Sequence, residues 1–217
     1  MDFIRRIAGR QPRIDQESEC LVSAVLVPIV KKDGIPHVLF EVRASSLNRQ
    51  PGEICFPGGK VEPGEMTRPQ ETAIREAVEE LGIRKDQVVL VGPLDYQITP
   101  PGTLIYPYLG IIEDLQIINP NTEEVAATFL APVSHFGDPP KASAVEVATR
   151  YTADFPFHRV PPSYKERENW LKQWTFPVYF YEYGEHFIWG VTARILNNFI
   201  TLCYPELLTL KNELPQK

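Results

Sequence analysis

Apolar residues recur along this chain with two different periods. Cys20–Val30 and His37–Arg43 are rich in Val, Leu and Ile, and Lys31-Lys32-Asp33-Gly34 lies between them. Two apolar runs joined at Asp-Gly predict a β-hairpin, because this dipeptide tolerates the positive φ of a tight hairpin turn. Glu53–Phe56 predicts a short strand that ends at a Pro57-Gly58-Gly59 loop. Val88–Val91, Leu94–Ile98, Tyr106–Ile112 and Ala127–Pro132 predict further strands. Phe176–Tyr183 alternates aromatic and aliphatic residues and, with Gly184-Glu185 and His186–Trp189, predicts a second hairpin. Thr192–Tyr204 carries apolar residues at helical spacing and predicts a C-terminal helix.

A central helix is expected over the segment from Thr67 to Ile83. Thr67 is the expected N-cap, Gln70 its capping-box partner, Pro69 a first-turn residue and Gly82 the C-terminal stop. At about 100° per residue, Ala73, Ile74, Ala77, Val78 and Leu81 share an arc of roughly 140°. Glu76, Glu79 and Glu80 fall in a separate arc of roughly 100°. Three carboxylates at these spacings repel one another. They are useful together when a hard divalent cation sits over them, since Mg²⁺ takes one or two carboxylates plus waters and substrate phosphates. A solvated acidic face is the plainer alternative from the helix alone. Arg75, four residues before Glu79, can pair with it and fix its direction. The preceding Gly-Gly loop lets the backbone approach closely, and a carbonyl there can add a metal ligand.

Composition narrows the classes. The chain has 217 residues, 43% hydrophobic and 23% charged, as expected of an ordinary globular protein. A net charge of −6 argues against a dedicated nucleic-acid binder. Cys20, Cys55 and Cys203 make neither a disulfide framework nor a zinc pattern, which favours a reducing, cytoplasmic compartment. Cys55 lies in an apolar run and is expected to be a small core residue. Leu21–Val30, the longest early apolar stretch, is about half a membrane span. The 21 prolines cluster in the second half, and Pro132–Pro177 is expected to form long ordered loops, with a short amphipathic segment at Lys165–Trp174. His37, His135, His158 and His186 show no ligand spacing. Residues 1–19 are expected to be an N-terminal arm, 20–205 a single α+β domain, and 206–217 a tail.

The strand, the glycine turn and the helix together resemble the Nudix hydrolases. Their box is Gly, five residues, Glu, seven residues, Arg-Glu, an aliphatic, any residue, Glu-Glu, any residue, Gly, an aliphatic. Gly59 to Glu65 has that spacing, and Arg75-Glu76-Ala77-Val78-Glu79-Glu80-Leu81-Gly82-Ile83 matches throughout. Nine residues rather than seven separate Glu65 from Arg75, which puts the role of Glu65 in doubt. The resemblance implies a Nudix fold, a mixed β-sheet sandwiched between helices (α/β/α). It implies Mg²⁺ or Mn²⁺ held by Glu76 and Glu80, with Glu79 a further ligand or base, Arg75 orienting Glu79, and the Gly58 carbonyl completing the site.

The flanks resemble the coenzyme A pyrophosphatase subgroup, through Leu39–Glu53 running into the box, Asn119–Val125 and Ile188–Leu196. Ala44 and Asn48 depart from that subgroup's usual Ser and Arg. The resemblance implies hydrolysis of coenzyme A or acyl-coenzyme A. Arg43 and Arg49 become candidate phosphate contacts, and Glu124, ahead of Glu123, a candidate for acting on the attacking water. Phe176–Tyr183 could wall an adenine or pantetheine site, although core packing explains it as well. The alternatives are a Nudix diphosphatase for ADP-ribose, a dinucleotide or a damaged nucleotide, and a non-catalytic Nudix-fold binding module. The expected partner is a small nucleoside-diphosphate-linked molecule, with neither nucleic acid nor membrane, and a homodimer is possible.

Overall fold

The computed structural model describes Ala8, Ile14, Glu17 and residues 20–162 and 171–203. The expected tail at 206–217 and most of the expected arm at 1–19 lie outside these residues.

The central strand is β1 (Leu21–Lys32). Its turn to β2 (Ile35–Arg43) is the anticipated Asp-Gly hairpin, with φ of 53° at Asp33 and 79° at Gly34. β2 pairs with β1 only over Ile29–Lys32 and otherwise diverges to pair with β8 (Val125–Pro132) and β3 (Ile54–Cys55). The vacated edge of β1 is taken by β4 (Gly58–Lys60), which pairs with Ser23–Val25. The glycine turn expected after Glu53–Phe56 is therefore itself a strand. The other edge of β1 pairs in parallel with β7 (Thr103–Ile112), which in turn pairs with β5 (Val88–Pro93) and β6 (Gln97–Ile98). The result is an eight-stranded mixed sheet.

Side chains on adjacent strand positions leave on opposite faces. Val22, Ala24 and Leu26 of β1 and Leu39 of β2 pack with Ala73, Ala77 and Leu81 of helix α1 (Pro69–Leu81). Val27, Val38 and Phe40 pack with Ala193, Leu196 and Phe199 of helix α2 (Gly190–Leu202). The sheet thus lies between two helices, an α+β architecture of the anticipated kind.

A second sheet, β9 (Lys141–Thr149), β10 (Leu171–Tyr183) and β11 (His186–Trp189), lies beside α2. The expected loops at Pro132–Pro177 therefore contain a strand. Every residue of β9 is exposed except the half-buried Val147, so the segment lacks the buried alternation that marks a strand in sequence. Of the amphipathic segment expected at Lys165–Trp174, 163–170 lie outside the described residues and Leu171–Trp174 belong to β10.

The start of α1 also differs from expectation. The N-cap is Arg68, not Thr67, and no side chain caps it. A residue before proline is pushed out of the helical region, and Arg68 has φ −143° and ψ 58°, so the helix starts at Pro69. The stop at Gly82 is as expected, with φ 63°. Beyond it, the Asn119 and Asn121 amides donate to the Leu81 and Glu80 carbonyls, each at 2.9 Å. A Cβ on Gly82 would lie 2.0 Å from the Asn119 carbonyl oxygen. Gly82→Ala combines that clash with a left-handed backbone and should destabilise the protein by about 2 kcal/mol or more. Urea unfolding of the two proteins measures the difference.

Candidate functional site

The acidic edge of α1 is not uniformly solvated. Glu79 has a side chain 54% exposed, Glu76 one 16% exposed, and Glu80 is only 4% exposed. Two of the three carboxylates thus turn toward β4. Ladder bonds join Leu26 N to the Pro57 carbonyl and Val61 N to the Val22 carbonyl, both at 2.9 Å. Alternation along β4 then directs the Gly58 amide away from β1, where it donates to Glu80 Oε2 at 2.8 Å. The Gly58 carbonyl belongs to the same outward edge.

Both glycines are required by contact rather than by φ. A Cβ on Gly58 would lie 2.5 Å from a Val25 methyl, and one on Gly59 would lie 2.4 Å from the Glu76 carboxylate. The Glu76 head group therefore rests in the space left by the missing side chain of Gly59.

Arg75 binds three carboxylates. Its shortest contact is to Glu76 Oε1 at 2.8 Å; Glu65 is at 3.3 Å and Glu79 at 3.4 Å. The expected pairing with Glu79 is present, but it is the longest of the three. Glu65 also accepts from the Thr72 hydroxyl at 2.7 Å. The two extra residues before Arg75 therefore do not detach Glu65 from the helix. Hydrogen bonds from Arg75 and then Thr72 hold its carboxyl below the usual range, and the bond to Glu65 in turn raises the Arg75 pKa.

Burial has the opposite effect further in. It raises the Glu76 pKa against the opposing pull of Arg75. At Glu80, burial pushes the pKa up to about 7, with Glu76 and Glu124 adding to the rise and the Gly58 amide and Arg43 opposing it. Glu124 sits on the turn that follows the α1 stop: its amide donates to the Asn121 carbonyl at 3.0 Å, and its own carbonyl accepts from Ala44 at 2.8 Å. Its charge acts on Glu76, Glu80 and Glu41. Glu123 points into solvent, its amide closed onto Asn121 Oδ1 at 3.1 Å.

Of the two candidate arginines, only half-buried Arg43 is brought to this edge, where its charge opposes the rise at both Glu80 and Glu41. Arg49 is exposed on the following loop, its carbonyl accepting from Arg43 Nε at 3.4 Å. Cys55 is half-buried rather than in the core, and its thiol is pushed up to about 12, chiefly by burial. Tyr181 is buried in the core and Tyr179 and Tyr183 pack against it, while the Arg194 guanidinium lies 4.2 Å over the Phe176 ring. A cleft of about 340 Å³ between the Gly52–Ile54 segment and His186–Trp189 is lined by Val42, on the face of β2 opposite to Glu41.

Glu41 is the residue that sequence reasoning missed. It is fully buried in β2, and its Oε1 has no hydrogen-bond partner among the described residues. Burial first, and Glu80 second, raise its pKa well above the ordinary carboxylate value.

Among the described residues, no three His, Cys, Asp or Glu side chains form a ready-made ion cage. The donor set still suits a divalent cation such as Mg²⁺, which needs few protein oxygens. Two inward carboxylates, an outward glycine carbonyl and a cradle with no Cβ lie along one edge, and Glu80 acts on the buried Glu41 carboxyl, whose Oε1 is orphaned. No helix among the described residues is long and apolar enough to cross a membrane.

A Nudix domain family model matches residues 21–155. The chain is 38% identical over 116 residues to the peroxisomal coenzyme A diphosphatase of Mus musculus, which covers 54% of this chain and 49% of that one, about half of the relative's length. It is 30% identical to Nudix hydrolase 3 of Caenorhabditis elegans, over 92% of this chain and 81% of that one. It is 29% identical to the mitochondrial coenzyme A diphosphatase of Homo sapiens, over 93% and 76% respectively. With the glycine strand, the acidic helix and the sheet between two helices, these matches establish that the chain belongs to the Nudix family of hydrolases.

Proposed function

We propose that this chain hydrolyses the diphosphate bond of coenzyme A or acyl-coenzyme A, giving adenosine 3′,5′-bisphosphate and 4′-phosphopantetheine or its acyl form. The observation that carries this reading is the Leu39–Glu53 segment, which delivers Arg43 to the inner carboxylates from the sheet side. Two relatives named as coenzyme A diphosphatases support it. ADP-ribose, dinucleotides and damaged nucleotides share the diphosphate and are the competing substrates. A binding module without catalysis fits less well, since Glu76, Glu79 and Glu80 are all present.

Glu76, Glu80 and the Gly58 carbonyl would hold Mg²⁺ or Mn²⁺, with Glu79 as a further ligand. Bound there, the ion would lower the pKa of a water and neutralise charge on the diphosphate oxygens. Arg75 holds Glu76 and Glu79 in place. Water adds to one phosphorus as the bond from that phosphorus to the bridging oxygen breaks, and Glu124 takes the proton released by the water. Arg43 contacts a substrate phosphate through its planar guanidinium, and Arg49 reaches one from the neighbouring loop. The protein acts on a small nucleotide-linked molecule in the cytoplasm, alone or as a homodimer.

In a substrate panel with Mg²⁺ or Mn²⁺, kcat/KM for coenzyme A or an acyl form should exceed that for ADP-ribose and NADH by about tenfold, a discrimination of some 1.4 kcal/mol. The reverse ranking would exclude coenzyme A. Mass spectrometry of products formed in ¹⁸O-labelled water identifies the phosphorus attacked. Glu80→Gln should lower kcat by at least about 100-fold. Gly59→Ala should do the same in a folded protein, because its methyl would displace the Glu76 carboxylate. Wild-type turnover in either variant, with folding checked by circular dichroism, contradicts the assignment.

A further inference from the structure

Glu41 is a carboxylate that the Nudix box does not contain. It lies in the middle of β2, opposite Cys55 of β3 and Thr128 of β8. A strand flanked on both edges and covered on both faces is a place for apolar side chains. Its neighbours follow that rule: Val38 and Phe40 enter the core under α2, and Leu39 enters the core under α1. Alternation puts Glu41 on the side of Leu39, facing α1.

What Glu41 meets there is charge. Glu80 raises its pKa, Glu124 adds to that, and Arg43 is the cation that opposes them. Glu80 has already committed Oε2 to the Gly58 amide. Glu41 Oε1 is bonded to nothing among the described residues, in a side chain only 1% exposed. A buried carboxylate is retained at a cost unless paired or joined to a cation. No ion pair between Arg43 and Glu41 is formed among the described residues. Alternation along β2 instead turns this side chain toward α1, whose buried Glu80 acts on it.

We propose that Glu41 is an inner oxygen donor of the divalent-cation centre, meeting the ion or one of its waters from the sheet while Glu76 and Glu80 meet it from the helix. This rests on reading the α1 carboxylates as a metal site. It adds a donor fixed by two strand pairings, more rigid than a helical side chain at the solvent edge. Mg²⁺ and Mn²⁺ both accept such hard oxygen ligands.

Mn²⁺ binding tests the assignment, read by the electron paramagnetic resonance signal of free Mn²⁺ in titrations of the full chain without substrate. Wild type, Glu41→Gln, Glu41→Asp and Glu80→Gln are compared, with thermal unfolding recorded with and without Mn²⁺. Glu41→Gln keeps the shape and removes a buried charge, so its metal-free midpoint should equal or exceed the wild type. Its Mn²⁺ affinity should fall at least tenfold, and most of the Mn²⁺-dependent rise in midpoint should vanish. Glu41→Asp keeps the charge but withdraws it by one methylene, and should also bind Mn²⁺ several-fold more weakly. Wild-type Mn²⁺ affinity in Glu41→Gln, or in Glu41→Asp if the glutamine variant does not fold, overturns the role of Glu41. If Glu80→Gln has then lost Mn²⁺ binding, the α1 centre still stands; undiminished binding in Glu80→Gln overturns that centre as well.

Discussion

The close approach of α1 to β4 governs this structure. A helix and a strand with full side chains at this contact could not come so near without a clash. Here they can, because Gly58 leaves room against Val25 and Gly59 leaves room beneath Glu76. The bond from the Gly58 amide to Glu80 then fixes the rotation of the helix about its axis. That rotation decides which carboxylates are sequestered and which one is left to water. The adjoining stripe, Ala73, Ala77 and Leu81, packs on β1 and is small at its two alanines, so apolar packing and the polar contact demand the same orientation.

Other elements maintain that approach at each end of the helix. At its start, Glu65 is tied to Thr72 and Arg75, anchoring the loop that joins β4 to α1. The two residues added to the box lengthen this loop without releasing its anchor. At its end, Gly82 admits the Asn119–Asn121 segment, whose amides cap the last turn. The same segment leads directly to Glu124. Helix termination and the placement of an outlying carboxylate are therefore one piece of geometry, and the Ala44 amide ties that piece to the end of β2.

Much of this was legible from residue pattern. Asp33-Gly34 announced the hairpin because few other pairs accept two positive φ values, and Gly82 announced the helix end for the same reason. Ala73, Ala77 and Leu81 of the buried stripe of α1 followed from its period, whereas Ile74 and Val78 are only half-buried and Thr72 and Glu80 are buried instead. Other features required information that a periodic pattern lacks. A helical wheel sets Glu80 about 20° from Ala73, at the rim of the buried stripe, and Glu79 about 100° further round, but a wheel does not say that Glu80 meets a strand amide. The start of α1 depended on Pro69 excluding Arg68 from the helix, a local steric effect that outweighs a good N-cap at Thr67. β9 has no buried face to betray it; its strand character comes from pairing with β10, distant in sequence. Glu41 was hidden by the opposite problem. An acidic residue among apolar ones in a strand reads as the solvent side of an alternation, and only the helix lying over that face reverses the meaning.

Charge balance links these observations to chemistry. Glu80 acts on Glu41, Glu76 on Glu80, and Glu124 on all three; Arg43 opposes the rise at Glu41 and Glu80, and Arg75 at Glu76. Arg75 is largely committed to Glu65, Glu76 and Glu79, which leaves Arg43 as the main positive group on the inner side. An anionic diphosphate approaching such an edge would be repelled, since unlike charges are outnumbered and burial weakens solvent screening. The same imbalance that repels the substrate attracts a divalent cation. On the proposed function, the cation is therefore what converts an acidic edge into a receptor for an anion.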